Sequence, residues 1–170
     1  FHPAMSYESF VQGLQPVADE EGRITFAVVN GAVVESAEAA RKGDDPHVFL
    51  IDEINRANLS KVLGELFFLL EYRDRSVTLQ YSDDAFVLPQ NLFIIGTMNT
   101  ADKSIALLDI ALRRRFEFKA MYPKYDIPGI IIHKSVFLKS LNDLIVKSGK
   151  GHDFTIGHSY FMDDSDSSFN

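Results

Sequence analysis

His47-Val48-Phe49-Leu50-Ile51-Asp52-Glu53-Ile54-Asn55-Arg56 is the stretch on which the fold turns. Four apolar residues, Val48 to Ile51, run without alternation into two adjacent carboxylates. An apolar run of that kind is expected of a parallel strand buried on both faces. In open α/β sheets ligands lie beyond the carboxyl ends of the strands, where Asp52 and Glu53 emerge. Nucleotide hydrolysis needs one carboxylate near a hydrated magnesium ion and a second group to orient the attacking water. Adjacent residues leaving a strand can divide those tasks. On this motif alone, a solvated turn opening on Asp-Glu is the plain alternative.

Two further motifs bear on the choice. Leu92 to Ile95 is a second buried-type strand, and it runs into Gly96-Thr97-Met98-Asn99. An amide there donates to a phosphate oxygen or to water without repelling either; capping a turn is the ordinary job for asparagine. Arg113-Arg114-Arg115 follows, three planar and permanently charged forks suited to phosphate. A solvated basic helix end, favoured by the helix dipole, is the competing account.

Around these motifs the pattern is that of an α/β domain. Ile24, Phe26 and Val28 alternate with polar or small residues as a strand reaching the turn signal Asn30-Gly31. Val33 to Lys42 reads as a helix closed by Gly43. Asn58 caps a helix whose apolar stripe is Leu59, Val62, Leu63, Leu66, Phe67 and Leu70. Val77 to Tyr81 and Phe86 to Leu88 form a β-hairpin. Ser104 caps a short helix with Ile105, Leu108 and Leu112, and Arg115 to Phe118 alternates as a third sheet strand. A longer helix presents Phe137, Leu141, Leu144 and Ile145 and ends near Ser148-Gly149. The break around Tyr122 to Gly129 divides residues 1–122, an α/β core, from 123–162, a helical appendage. Residues 163–170 form an acidic tail expected to be disordered.

Composition excludes several classes. The chain of 170 residues has no cysteine, which removes disulfides and thiolate metal sites. No apolar run approaches the roughly 18 residues of a membrane span. The net charge of −7 disfavours this segment as the main nucleic-acid contact. No Gly-x-x-x-x-Gly-Lys-Ser/Thr loop, the usual phosphate cradle, occurs in these residues. Phe1-His2-Pro3 reads as the middle of a fold, so the expectation is a phosphate loop encoded upstream.

Three blocks in fixed order resemble the AAA+ superfamily: Leu50-Ile51-Asp52-Glu53-Ile54-Asn55-Arg56-Ala57-Asn58, Gly96-Thr97-Met98-Asn99-Thr100-Ala101-Asp102-Lys103-Ser104 and Ala111-Leu112-Arg113-Arg114-Arg115-Phe116. Within it they resemble the McrB branch, the GTP-hydrolysing motor subunit of a modification-dependent restriction system. Lys103 departs from that branch's Met-Asn-Thr-Ala-Asp-Arg-Ser signature, keeping the charge and losing the fork. Gly151-His152-Asp153-Phe154-Thr155-Ile156-Gly157-His158-Ser159-Tyr160-Phe161 resembles its lid, and Phe1 to Phe10 the segment after its phosphate-loop helix.

The resemblance implies a partial AAA+ parallel-sheet core with flanking helices, a β-hairpin insertion and part of a helical lid. It implies that Asp52 is the Walker B acid associated with Mg2+, that Glu53 is the catalytic glutamate, and that Asn99 is the sensor of water and nucleotide, helped by Asp102. Arg114 and Arg115 would act on a neighbour's nucleotide, with Asp109 orienting one of them, and His158 would be a lid residue near the nucleotide. The implied cofactor is Mg2+ with GTP or ATP in the parent protein, with none bound to this piece alone. The implied partners are copies of itself in a ring, a McrC-like nuclease subunit, and DNA through domains not in this chain, in the cytoplasm and away from membrane. A MoxR- or dynein-related ATPase that remodels protein complexes, or a catalytically inert fragment, are the alternative readings.

Overall fold

A computed structural model describes residues 1–19, 21–99 and 110–162 of the chain. They form two compact units, one of Phe1–Glu117 and one from Phe118 onward.

The first unit is mixed α/β. A short helix α1 (Tyr7–Phe10) leads into strand β1 (Gln12–Ala18), which pairs antiparallel with β2 (Ile24–Asn30) from Gln12↔Asn30 to Ala18↔Ile24. β1 is unforeseen because Pro16 interrupts its pattern. Each strand of a two-stranded ribbon is an edge, where a missing N–H is tolerated. The turn of this hairpin is built by Asp19, whose Oδ1 accepts from the N–H of Glu21 and of Arg23 at 3.0 and 2.8 Å. Asn30-Gly31 makes no hairpin turn; Gly31 instead sits at the start of helix α2 (Ala32–Ala40). At the other end of α2, Asn91 Nδ2 donates to the carbonyls of Ala40, Gly43 and Asp45, so a side chain from a distant loop closes the helix.

Strand β3 (His47–Ile51) then pairs in parallel with β6 (Leu92–Gly96), in register His47↔Leu92 to Ile51↔Gly96. One face carries Phe49, Ile51, Leu92 and Ile94 onto the core, where Phe49 lies 5.7 Å from the ring of Phe10. The opposite face does not match the expectation of burial on both sides. Val48, Leu50, Phe93 and Ile95 are 61, 60, 52 and 49 % exposed. The apolar run marks a strand made for two covered faces, and among the described residues only one cover exists.

The stripe beginning at Leu59 is realised as two helices, α3 (Leu59–Leu63) and α4 (Leu66–Leu69), rather than one. Asn58 caps the first, accepting from the Lys61 N–H at 3.0 Å. Gly64 breaks the run: its φ is +53°, and a Cβ there would lie 2.9 Å from the Tyr7 ring. Leu59, Val62, Leu63, Leu66 and Leu69 still all reach the core. Tyr7 fills the notch, its hydroxyl donating to Glu65 and accepting from the Gln80 N–H. Burial first, and Glu65 second, hold that phenol protonated well above the usual tyrosine range. The expected hairpin is present as β4 (Val77–Thr78) and β5 (Ala85–Phe86). Helix α5 (Ile110–Arg113) buries Leu112.

Arg115 to Phe118 is not a third strand. The N–H groups of Arg115 and Phe116 both donate to the Leu112 carbonyl, so the chain is still unwinding from α5. The expected Ser104 cap, Ile105 and Leu108, and the tail 163–170, lie outside the described residues.

The second unit is organised by helix α6 (Ser135–Ile145). Its inward side is rotated from the expected one. Leu138 and Asn142 are buried, while Phe137 and Leu144 are exposed within this unit. Beyond α6 the chain continues through a widened turn to Gly149, whose φ of +84° ends it.

Candidate functional site

The carboxyl ends of β3 and β6 lie side by side because the two strands are parallel and in register. Asp52 follows the last residue of β3, and Thr97 follows the last residue of β6. Backbone bonds stitch the two exits together: Thr97 N–H to the Ile51 carbonyl at 3.0 Å, and Ile54 N–H to the Thr97 carbonyl at 2.9 Å. Gly96 leaves room for the Ile54 side chain, since a Cβ would stand 2.7 Å from Ile54 Cδ1.

Asp52 is exposed at the sheet edge, with Oδ1 accepting from the Thr97 hydroxyl. Glu53 takes a left-handed backbone conformation, φ +55°, which turns the chain sharply off the strand. That conformation is uncommon for a residue with a side chain and clusters at functional turns. The Glu53 carboxylate pairs with the Arg56 guanidinium, and its N–H donates to the Thr97 hydroxyl at 3.2 Å. Asn55 is buried and donates from Nδ2 to the Asn99 carbonyl at 3.3 Å. Asp52, Glu53 and Asn99 thus belong to one linked pair of turns. Thr97 and Asn55 carry no sequence signal of their own beyond lying inside the two acid- and amide-bearing motifs.

The remaining candidates are placed differently. Arg114 is exposed. Arg115 is held within its own unit: Nη2 lies 2.8 Å from Glu71 Oε2, Nη1 donates to the Ala111 carbonyl at 2.9 Å, and the guanidinium stacks 4.4 Å above the Phe67 ring. His158 belongs to the second unit, where Nδ1 accepts from the Lys124 N–H at 3.1 Å. That bond gives the ring a structural partner. Asp102, Lys103 and Asp109 lie outside the described residues.

The donor set fits a magnesium ion that accompanies a nucleotide. Mg2+ favours oxygen ligands and keeps several waters, so one or two carboxylates at a strand end suffice when phosphates complete the shell. Asp52 offers such an oxygen: among the described residues its Oδ2 makes no hydrogen bond.

Comparison with known proteins places the chain in a family. The family model described as AAA domain (dynein-related subfamily) matches residues 1–116. The model described as McrB, alpha-helical lid domain, matches residues 134–170. The chain is 40% identical over 184 residues to the type IV methyl-directed restriction enzyme EcoKMcrB subunit of Escherichia coli strain K12, covering 95% of this chain and 39% of that protein. It is 38% identical over 116 residues to the type II restriction enzyme BsuMI component YdiS of Bacillus subtilis strain 168, covering 58% of this chain and 34% of that protein. The chain therefore spans well under half the length of these relatives. With 116 of its 170 residues matched by the core model, the chain belongs to the AAA family, in the dynein-related subfamily, and carries behind that core a helical lid of the McrB kind.

Proposed function

We propose that this chain is the hydrolytic part of a nucleoside triphosphatase that powers a restriction system, acting on GTP in preference to ATP. The observation that carries the reading is the pair of stitched strand exits, which brings Asp52, Glu53 and Asn99 to one edge of the sheet. The restriction-system relatives and the McrB-type lid support the placement within the AAA family.

In this reading Asp52 would hold the hydrated magnesium ion that accompanies the nucleotide, and the charge on the phosphates would be neutralised there. Glu53 holds the attacking water. Its ion pair with Arg56 lies between side chains 34 and 46 % exposed, and a pair screened in that way is weak enough to reorient. Asn99 presents a neutral amide beside the acids. Arg114, exposed just beyond α5, is available to a neighbouring subunit's nucleotide. Assembly as a ring, coupling to a McrC-like nuclease, and DNA contact through domains beyond these residues complete the proposal. A protein-remodelling ATPase shares the dynein-related core; the restriction-system relatives favour the DNA-directed role.

The test is Glu53→Gln in the full-length gene product. Nucleotide affinity should be retained and turnover should fall by at least about 10²-fold. Hydrolysis at the wild-type rate would remove Glu53 from the chemistry. Parallel measurements with GTP and ATP decide the nucleotide.

A further inference from the structure

Thr97 stands where the two motifs cross. Its backbone N–H and carbonyl are both bonded to the acid-bearing turn, to Ile51 and Ile54. Its hydroxyl adds two more bonds, donating to Oδ1 of Asp52 and accepting from the Glu53 N–H. A hydroxyl has one proton and two lone pairs, so the roles coexist on one oxygen. The β-branched side chain has few χ1 options, which holds that oxygen in place without further contacts.

These bonds act on the two acids in different ways. The bond to Oδ1 restrains the Asp52 carboxylate and leaves Oδ2 without a hydrogen bond among the described residues. Holding the Glu53 N–H helps to maintain a left-handed backbone that is unfavourable for a residue with a side chain. A carboxylate near a metal that lacks its outer hydrogen bond typically loses 10–100-fold in metal affinity or activity.

We infer that Thr97 is a positioning residue for the acid pair, its hydroxyl aiming Asp52 at a divalent cation and pinning the turn that presents Glu53. The inference rests on the hydrolytic reading above. Thr97 is itself exposed, so water replaces its bonds in the unfolded chain and in a mutant alike. Its removal should therefore disturb function far more than stability.

The experiment compares wild type, T97V, T97S and Glu53→Gln in the full-length gene product, with GTP and ATP as probes and Mg2+ titrated. Valine keeps the shape and removes the hydroxyl; serine restores it. T97V should lower kcat by about 10–100-fold and raise the Mg2+ concentration at half-maximal rate by about tenfold, with KM little changed. By calorimetry, T97V should need about tenfold more Mg2+ than wild type to reach the same nucleotide affinity, the two converging at saturating Mg2+, while its melting temperature stays near wild type. T97S should recover both the rate and the Mg2+ dependence. Wild-type Mg2+ dependence in T97V, or a T97S as impaired as T97V, would overturn the inference while Glu53→Gln remained inactive. Failure of the hydrolytic reading looks different: wild type would not turn over, or Glu53→Gln would. T97A, which adds no bulk, reads out the same quantities if T97V does not fold.

Discussion

The two neighbouring arginines at the end of α5 have different surroundings, and charge alone does not distinguish them. Arg115 has an ion pair, a carbonyl and an aromatic face, and its side chain is 11 % exposed. Arg114 is exposed. A guanidinium held on three sides has little freedom to reach another subunit, and removing it leaves Glu71 without its cation in a partly covered place. Arg115→Ala should destabilise the full-length protein by about 1–3 kcal/mol in thermal or denaturant unfolding. Arg114→Ala should leave stability within about 0.5 kcal/mol, because an exposed side chain without such contacts contributes little. Equal unfolding midpoints for Arg115→Ala and wild type would show that the contacts with Glu71 and Phe67 hold nothing in place. Three consecutive arginines announce phosphate chemistry in the sequence, but Glu71 and Phe67 lie some forty residues away and no local pattern links them to Arg115.

At the scale of elements, the second unit depends on one polar residue on an apolar helix face. Asn142 of α6 is 2 % exposed; its Nδ2 donates to Tyr125 Oη at 3.1 Å and to the Ile156 carbonyl at 3.0 Å, and its Oδ1 accepts from the Ile156 N–H at 2.7 Å. The amide satisfies both backbone groups of Ile156 and so seats the Gly151 to Tyr160 loop against the helix. Asn142→Leu should lower the stability of this unit by about 2–4 kcal/mol, since both Ile156 groups lose their partner while covered. A drop of less than about 0.5 kcal/mol, followed by hydrogen exchange at Ile156, would show that the loop has other supports. This also explains why the helix was legible and its inward face was not. Apolar spacing selected Phe137, Leu141, Leu144 and Ile145, and a hydrophobic count cannot place a buried asparagine at the centre of a face. The parallel strands, the Asn58 cap and the β4–β5 hairpin follow from local patterns. The break at Gly64 follows from Tyr7, which enters from far along the chain, and the β1 strand was hidden by Pro16.

For the molecule as a whole, the uncovered face of the β3–β6 pair and the absent phosphate loop concern the same capacity. Val48, Leu50, Phe93 and Ile95 form an apolar face with no cover among the described residues, although their sequence is that of strands covered twice. No Gly-x-x-x-x-Gly-Lys-Ser/Thr segment occurs in these 170 residues. Affinity for a triphosphate comes chiefly from backbone N–H groups and a lysine that surround the phosphates, whereas the acids and Asn99 act on water and metal. Carboxylates alone repel the phosphates. The 170-residue chain by itself should therefore bind GTP and ATP weakly, with a Kd well above the micromolar range in the presence of Mg2+, even when circular dichroism shows it folded. Full-length gene product measured by the same calorimetry is the control. Micromolar binding by the isolated chain would mean that the α5 arginines or the lid supply phosphate contacts independently. The division of labour between phosphate binding elsewhere and the action of Asp52, Glu53 and Asn99 on water and metal would then have to be redrawn.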